Sequence, residues 1–277
     1  QQSGCPVKLS ALLNSKQPGP KQPGQKQPGQ KQPVTELYPR VLASLPHDVK
    51  NFTQGLVIDD NHLYESTGHY GKSKVIKSQL NTGKILKQKS LEEQYFGEGL
   101  TLWGDKLYQV TYQERKGFVY DKNTLAQLAE FKLLGDGWGI THDDKHLIIS
   151  DGSAFLSFLD PKTLQPVKKV KVTAKGEPVL DINELEYING YLFANLWLTN
   201  HIAIINPVTG KVRAMLNLSK LVEKQSSNKQ ASELNGIAYN ANDNTLWVTG
   251  KNWSSLYQIC LDVKEPVNKV KLVNKAE

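Results

Sequence analysis

The chain has 277 residues, a length that suits one large all-β domain or two domains of ordinary size. Hydrophobic residues make up 39% of it and charged residues 22%, which excludes a wholly disordered chain, a collagen and a coiled coil. No apolar run approaches the roughly 20 residues that a membrane-spanning helix needs. We therefore expect a folded core and no membrane span.

The net charge of +7 is concentrated near the N-terminus. Residues 1–36 contain five Lys and one Glu, which accounts for +4 and leaves +3 for the rest of the chain. A nucleic-acid-binding domain would carry a basic face with interleaved aromatic side chains on its folded part. We therefore expect no nucleic-acid partner.

A low-complexity segment repeats the motif KQPGQ, with small variations, from Lys16 to Thr35. Pro-rich sequence without apolar partners cannot build a core and favours extended polyproline conformations. The prolines recur every five residues rather than as PxxP, which favours a spacer over an SH3 or WW ligand. We predict a flexible Pro/Gln/Lys-rich tail over residues 1–37 and one folded domain over residues 38–277.

The first residue and the two cysteines bear on the compartment. The chain starts with Gln rather than Met, and the sequence around Cys5 faintly resembles a lipoprotein cleavage site. We expect an exported protein, periplasmic or secreted, with an N-terminal membrane tether as a further option. Cys5 and Cys260 either form a disulfide or remain separate thiols, and the sequence leaves both alternatives open.

Five segments after Tyr38 share one pattern, in which two short apolar strands flank a polar turn. They begin FTQGL, FGEGL, GWGIT, INELEY and LNGIAY. The leucines of their second strands are spaced by 44, 40, 45 and 54 residues, and they are Leu63, Leu107, Leu147, Leu192 and Leu246. This spacing is typical of a four-stranded propeller blade.

Each repeat continues with a third strand, an Asn or Asp turn, and a fourth strand in which Lys alternates with apolar residues. Such alternation indicates a blade edge with one wet face. The fifth repeat has only three strands, so residues 38–46, residues 267–274 or both must complete its blade. We predict an all-β, five-bladed β-propeller, with helix only near residues 216–224.

Polar residues stand at or near the start of the predicted innermost strands, which line the central channel of a propeller. Glu98 lies between two glycines, where a shielded carboxyl would have a raised pKa and could act as general acid and base. The alternative is a carboxylate that caps backbone amides at the channel mouth. The polar residues at these strand starts are Gln54, Glu98, Asn183, Glu184, Glu186 and Asn235.

Aromatic residues and one lysine are predicted at the same rim. Trp138 and Trp197 occupy equivalent loop positions, with Tyr112 as a third aromatic, and exposed loop aromatics often form ligand platforms. Lys251 ends an inner hairpin, although a solvated surface lysine is the alternative. Trp247 lies on an alternating strand and is expected in the core.

Other chemistries lack their motifs. The sequence has no GxSxG, no Gly-rich phosphate loop and no HExxH. Its six His residues fall singly and it has no CxxC, which excludes a thiolate zinc site and argues against a histidine metal site. Metal-binding residues therefore stay unknown.

As a set, the motifs FTQGL, FGEGL, GDGWGIT, INELEY and LWVTGKNW resemble the plant and bacterial glutamine cyclotransferase family of five-bladed propellers. The resemblance implies an enzyme, a glutaminyl-peptide cyclotransferase of the acyltransferase class. Such an enzyme converts the N-terminal glutamine of a peptide or protein to pyroglutamate with release of ammonia. It also implies catalysis without a metal, and it leaves room for a structural calcium held by backbone carbonyls in the channel.

Carried over by position, the resemblance gives Glu98 the role of acid and base. Tyr112 stands where the family often has Trp, which puts the role of that aromatic in doubt. We expect peptides with N-terminal Gln as partners, and a monomer. The residues that resemble the family's substrate pocket are Phe52, Gln54, Phe96, Tyr112, Trp138, Asn183, Trp197 and Lys251.

Two other functions fit a propeller. One is a non-catalytic module that binds peptides or sugars, and it would tolerate loss of the Glu98 carboxylate. The other is a calcium-dependent lactonase, which would lose activity in the presence of a chelator.

Overall fold

The structure, a computed structural model, describes residues 34–261. Its strands form five sheets, each with four antiparallel strands, and these sheets are the five blades of a β-propeller. In four blades the four strands follow one another in sequence, and in the fifth an N-terminal strand supplies the outermost position. The predicted all-β, five-bladed propeller is confirmed. The tail motifs up to residue 33, Cys5 and residues 267–274 lie outside the described residues.

The first three blades follow the chain in order, each with its innermost strand first. Their fourth strands are largely exposed, as the alternation of Lys with apolar residues predicted. Blade 1 holds β3 (Thr53–Asp59), β4 (His62–Thr67), β5 (Lys74–Gln79) and β6 (Ile85–Ser90). Blade 2 holds β7 (Gly97–Trp103), β8 (Lys106–Thr111), β9 (Lys116–Asp121) and β10 (Gln127–Lys132). Blade 3 holds β11 (Ile140–His142), β12 (Leu147–Ser150), β13 (Phe155–Leu159) and β14 (Pro166–Lys171).

The last two blades depart from this scheme at their outer edges. Blade 4 holds β17 (Ile182–Ile188), β18 (Tyr191–Leu196), β19 (His201–Ile205) and β20 (Val212–Asn217), and β1 (Thr35–Leu37) adds a parallel fifth strand to β20. Blade 5 holds β21 (Leu234–Asn240), β22 (Thr245–Gly250) and β23 (Ser255–Cys260), with β2 (Arg40–Pro46) as its outermost strand. The segment after Tyr38 therefore completes blade 5 and closes the ring, as predicted. The other predicted segment, residues 267–274, lies outside the described residues. The sequence did not predict β1, which lies just before residue 38, where the propeller was expected to start.

The loops between blades contain two small elements. A hairpin of β15 (Thr173–Ala174) and β16 (Glu177–Pro178) lies between blades 3 and 4. Helix α1 (Ser219–Glu223) follows β20 and falls inside the segment where a short helix was predicted.

The hydrophobic core is divided into five clusters, and each lies between two neighbouring blades. The five second-strand leucines that revealed the repeat are at most 5% exposed, which explains why that position is apolar in every blade. Trp247 lies in the cluster between blades 5 and 1, as expected. Cys260 is buried at the end of β23.

The innermost strands pack too closely for side chains at two of the repeated glycines. A Cβ on Gly99 would lie 2.6 Å from the backbone nitrogen of Ile140, and one on Gly139 would clash with the carbonyl oxygen of Asn183. Gly99 also donates a 2.8 Å backbone hydrogen bond to Trp138 across the blade boundary. These glycines therefore bring the starts of neighbouring inner strands together around the channel.

Candidate active site

The starts of the inner strands meet at one end of the channel, and the predicted polar residues gather there. Gln54 lies on β3, Glu98 on β7, Asn183 on β17 and Asn235 on β21, and each is at most 5% exposed. The blade repeat explains the location of each side chain, because it places equivalent positions at the same end of successive inner strands. The structure therefore brings together residues that are up to 181 positions apart in sequence.

Glu98 is a buried carboxyl with one oxygen bound and one unbound. Its Oε1 accepts a 2.9 Å hydrogen bond from Gln54, and its Oε2 has no hydrogen-bond partner in residues 34–261. Burial raises the pKa of Glu98 well above its usual value, the charge of Lys251 opposes that shift, and the charge of Glu114 adds to it. Capping of backbone amides, the alternative role for Glu98, is therefore not what its carboxyl does among the described residues.

Glu184 and Glu186 are the carboxylates that do bind backbone amides. Glu184 accepts from Ile237 at 3.0 Å and Glu186 accepts from Tyr239 at 3.0 Å, so both side chains on β17 hold the inner strand of blade 5. Burial raises the pKa of Glu184 well above its usual value and that of Glu186 to about 8. These hydrogen bonds give both carboxyls a structural role between blades. Oε1 of Glu184 also has no hydrogen-bond partner in residues 34–261, so Glu98 differs in that its only hydrogen bond comes from a side chain and not from a backbone amide.

A row of aromatic rings forms one wall beside Glu98. The ring centroids of Phe52 and Phe96 are 6.3 Å apart, those of Phe96 and Tyr112 are 6.0 Å apart, and those of Tyr112 and Trp138 are 6.3 Å apart. Trp138 then meets Trp197 edge to face at 5.5 Å. All five rings are half-buried, so they form a continuous wall with an open side. The predicted aromatic residues, Tyr112 included, thus lie together.

Two further polar atoms at this wall have no partner. Trp138 Nε1 and Asn183 Oδ1 are buried, and neither makes a hydrogen bond within the described part of the chain. Gly152, with a φ of 78°, lies against the Trp138 ring, where a Cβ would come within 2.7 Å of it. A buried polar group without a partner costs free energy, so these two atoms and Glu98 Oε2 are suited to a polar ligand.

Lys251 lies at the Phe52 end of the wall and is 4% exposed. Its Nζ is 4.7 Å from the centre of the Phe52 ring and 3.7 Å from Glu233 Oε2. Burial lowers the pKa of Lys251, while the charges of Glu233 and Glu98 counteract that shift. The alternative of a solvated surface lysine is therefore wrong.

Several residues near this pocket were not predicted. His69 packs against Phe52 in a tilted arrangement with 4.2 Å between ring centres, and Tyr70 packs against Phe96 at 5.3 Å. Glu233 pairs with Lys251, and Glu114 influences the pKa of Glu98. All four lie in loops outside the repeated strands, where the blade pattern gives no signal.

No group of three or more His, Cys, Asp or Glu side chains suited to a metal ion occurs in residues 34–261. The structural calcium was expected to bind backbone carbonyls, so it stays a prediction. No helix among the described residues is long and apolar enough to cross a membrane.

Comparison with known proteins identifies the family of this chain. The family model described as glutamine cyclotransferase matches residues 12–261. The chain belongs to the glutamine cyclotransferase family. The resemblance predicted from the five motifs is thus confirmed.

Two members of known name are similar over most of their length. A glutaminyl-peptide cyclotransferase from Arabidopsis thaliana is 44% identical over 225 residues, which cover 80% of this chain and 70% of the relative. The crystal structure of Myxococcus xanthus glutaminyl cyclase matches with a TM-score of 0.79 and 33% identity, covering 84% of this chain and all of that one. The family model thus covers all of the described propeller, and both relatives match most of this chain.

Proposed function

We propose that this glutamine cyclotransferase acts on peptides or proteins with an N-terminal glutamine and that Glu98 transfers the proton. The α-amine attacks the side-chain amide carbon, forming the ring carbon–nitrogen bond. Ionised Glu98 takes a proton from the attacking nitrogen and gives it to the amide nitrogen, whose bond to carbon then breaks to release ammonia. The carboxylate is regenerated, so protons balance over the cycle. The observation that carries this proposal is the buried Oε2 of Glu98, which has no partner in the described chain.

Donors near Glu98 suit the charge that develops on the amide oxygen. The Nε1–H of Trp138 and the ammonium group of Lys251 are both buried at the aromatic wall. A fixed donor aimed at a developing oxyanion contributes about 3 kcal/mol to transition-state stabilisation. The carboxamide of Asn183 is equally placed to bind the substrate's polar groups.

The aromatic wall suits the orientation of a short flexible side chain. The reaction is intramolecular, so the catalyst gains mainly by holding the glutamine in its cyclising conformer. Trp138 and Trp197, edge to face at 5.5 Å, present two rigid surfaces at right angles for this purpose. Phe52 and Phe96 complete the wall and restrict water around Glu98.

We further propose that catalysis needs no metal or other cofactor, that the protein is exported and that it acts as a monomer. The chemistry needs only a proton carrier and oxyanion donors, both of which the side chains can supply. The family assignment makes a non-catalytic binding module and a calcium-dependent lactonase the weaker alternatives. Retention of full turnover with EDTA would support catalysis without a metal.

The test is incubation with a Gln-Ala peptide, with ammonia release and peptide mass as readouts. Glu98→Gln keeps the side-chain volume and removes the proton carrier, so turnover should fall by about 10²–10⁴-fold. Glu184→Gln is the matched control, because it alters another buried channel carboxyl that binds backbone amides and should retain turnover. Turnover of Glu98→Gln within tenfold of the parent would refute the assignment of Glu98.

A further inference from the structure

The mouth of the pocket carries a carboxylate that the cyclisation does not use. Glu114 lies in the loop between β8 and β9 and is half-buried. Its Oε1 accepts a 2.8 Å hydrogen bond from the Tyr70 hydroxyl, and its Oε2 accepts a longer one, 3.4 Å, from the backbone N–H of Phe96. Loops from blades 1 and 2 thus hold this carboxylate in place.

Glu114 lies next to the Phe96 and Tyr112 end of the aromatic wall, where it accepts hydrogen bonds from Tyr70 and from the Phe96 backbone. Tyr112, two residues earlier, and Phe96 are wall residues with ring centres 6.0 Å apart, and the Tyr70 ring packs on Phe96. The negative charge of Glu114 acts on the buried Glu98 carboxyl. The electrostatic field of a charge at the rim that is felt at Glu98 is also felt by the part of a bound substrate that extends out of the pocket.

Glu114 forms no ion pair within the described part of the chain. Among the ion pairs of residues 34–261, Lys116 pairs with Glu130 and Lys251 with Glu233, and none includes Glu114. Its two hydrogen bonds come from neutral donors. A half-buried carboxylate with neutral partners attracts a cation more strongly than a fully hydrated one does.

We propose that Glu114 is a specificity-determining residue that favours substrates with Lys or Arg directly after the N-terminal glutamine. This inference rests on the proposed function, because the second residue of a peptide leaves the pocket only if its glutamine is bound beside Glu98. An acidic second residue would be disfavoured by the same charge.

The experiment measures kcat/KM for Gln-Lys, Gln-Ala and Gln-Glu peptides at low salt. The kcat/KM of the parent protein should be about tenfold higher for Gln-Lys than for Gln-Glu. Attraction of the lysine and repulsion of the glutamate by a partly exposed carboxylate each change kcat/KM by about two- to fivefold. The preference should reside mainly in KM and weaken as salt is added. Each ratio compares two peptides on the same protein, so the effect of any change in the Glu98 pKa on kcat/KM cancels in the ratio.

Three variants separate charge from loop structure. Glu114→Gln keeps an acceptor for Tyr70 and removes the charge, so the Lys-to-Glu ratio should fall to about two or less. Tyr70→Phe removes the hydrogen bond and keeps the charge, so the ratio should persist. Glu93→Gln removes an exposed carboxylate from a neighbouring loop and should leave the ratio unchanged.

Two results would overturn this inference and leave the proposed function intact. One is turnover of all three peptides by the parent protein without a preference for Gln-Lys. The other is a preference that survives in Glu114→Gln or is lost equally in Tyr70→Phe. Failure of the parent protein to cyclise any of the three peptides would instead refute the proposed function, and this inference with it.

Discussion

The Nε2 atom of Gln54 donates a 2.9 Å hydrogen bond to Oε1 of Glu98. Gln54 in turn accepts a 3.1 Å bond from Asn235, which also donates to the backbone carbonyl of Thr53 at 2.9 Å. This chain of hydrogen bonds runs from blade 5 through blade 1 to blade 2. It fixes one oxygen of Glu98 and leaves the other buried without a hydrogen-bond partner in residues 34–261.

Replacing Gln54 with Met should therefore impair catalysis without removing the catalytic carboxyl. Gln54→Met has a similar length and cannot donate to Glu98. A hydrogen bond to a charged group contributes about 1.5–3 kcal/mol, so kcat should fall by about 10- to 100-fold, with a smaller change in KM. Steady-state kinetics on a Gln-Ala peptide measures this, and an unchanged kcat would show that Gln54 does not position Glu98.

Trp138→Phe should show whether the indole N–H of Trp138 binds the substrate. The variant keeps an aromatic ring and removes the buried Nε1–H, which has no partner in the described chain. If that N–H donates to substrate, kcat/KM should fall by about tenfold or more, because a bound substrate loses a hydrogen bond in a water-poor site.

Trp197→Phe is the control for the change in ring size. Trp197 contacts Trp138 edge to face, and its indole nitrogen is not among the buried polar atoms without a partner. Its loss of kcat/KM should be smaller than that of Trp138→Phe. Equal losses would assign the effect to ring packing instead of to the N–H group.

The repeated strands explain how much of the fold could be predicted. A residue such as Leu107 is fully buried because each blade needs an apolar side chain against the next, and this need recurs with every blade. The start of each inner strand recurs in the same way, so the sequence alone could place Gln54, Glu98 and Asn183 at one site. The Lys-rich fourth strands likewise had to be edges.

Features that depend on a single loop or strand had no such signal. β1 pairs with β20 through backbone hydrogen bonds, which any short extended segment can make, and its first residue, Thr35, is also the last residue of the low-complexity repeat. His69 reaches Phe52 with a backbone φ of 91°, a left-handed conformation that nothing in the local sequence predicts for histidine. The pairing of Tyr70 with Glu114 likewise joins two loops of different blades.

Lys251→Met should change the pH dependence of turnover. The positive charge of Lys251 holds the pKa of Glu98 lower than burial alone would. Removing that charge raises the Glu98 pKa, and the proposed reaction starts from ionised Glu98. The acidic limb of the kcat profile should therefore move to higher pH.

Glu114→Gln should move the same limb in the opposite direction, because the Glu114 charge raises the Glu98 pKa. The pH dependence of kcat on Gln-Ala, measured for both variants and the parent protein, checks the pair of predictions. A limb that stays in place in both would mean that it reports the substrate amine and not Glu98.

His47→Gln tests a buried ion pair between His47 and Glu65, which lies where the chain passes from β2 to β3 and closes the ring. His47 Nε2 lies 3.0 Å from Glu65 Oε1, with side chains only 2% and 4% exposed, and His47 Nδ1 lies 2.7 Å from the Trp253 carbonyl oxygen. Burial alone would lower the pKa of His47, but the charge and hydrogen bond of Glu65 and the Trp253 carbonyl together raise it. The pair joins the loop between β2 and β3 to blade 1, next to Phe52.

A histidine whose folded-state pKa is raised stabilises the fold fully below its unfolded pKa of about 6.5, and this contribution is lost as pH rises through the folded-state pKa. His47→Gln can still donate a hydrogen bond to Glu65 but carries no charge. Its melting temperature should therefore lie furthest below that of the parent protein at about pH 5.5, and the gap should narrow toward about pH 9. Thermal denaturation of both proteins across this range measures the gap, and subtraction cancels the titration of groups that do not interact with His47. A gap that is constant or widens with pH would show that the charged His47–Glu65 pair does not stabilise the closure.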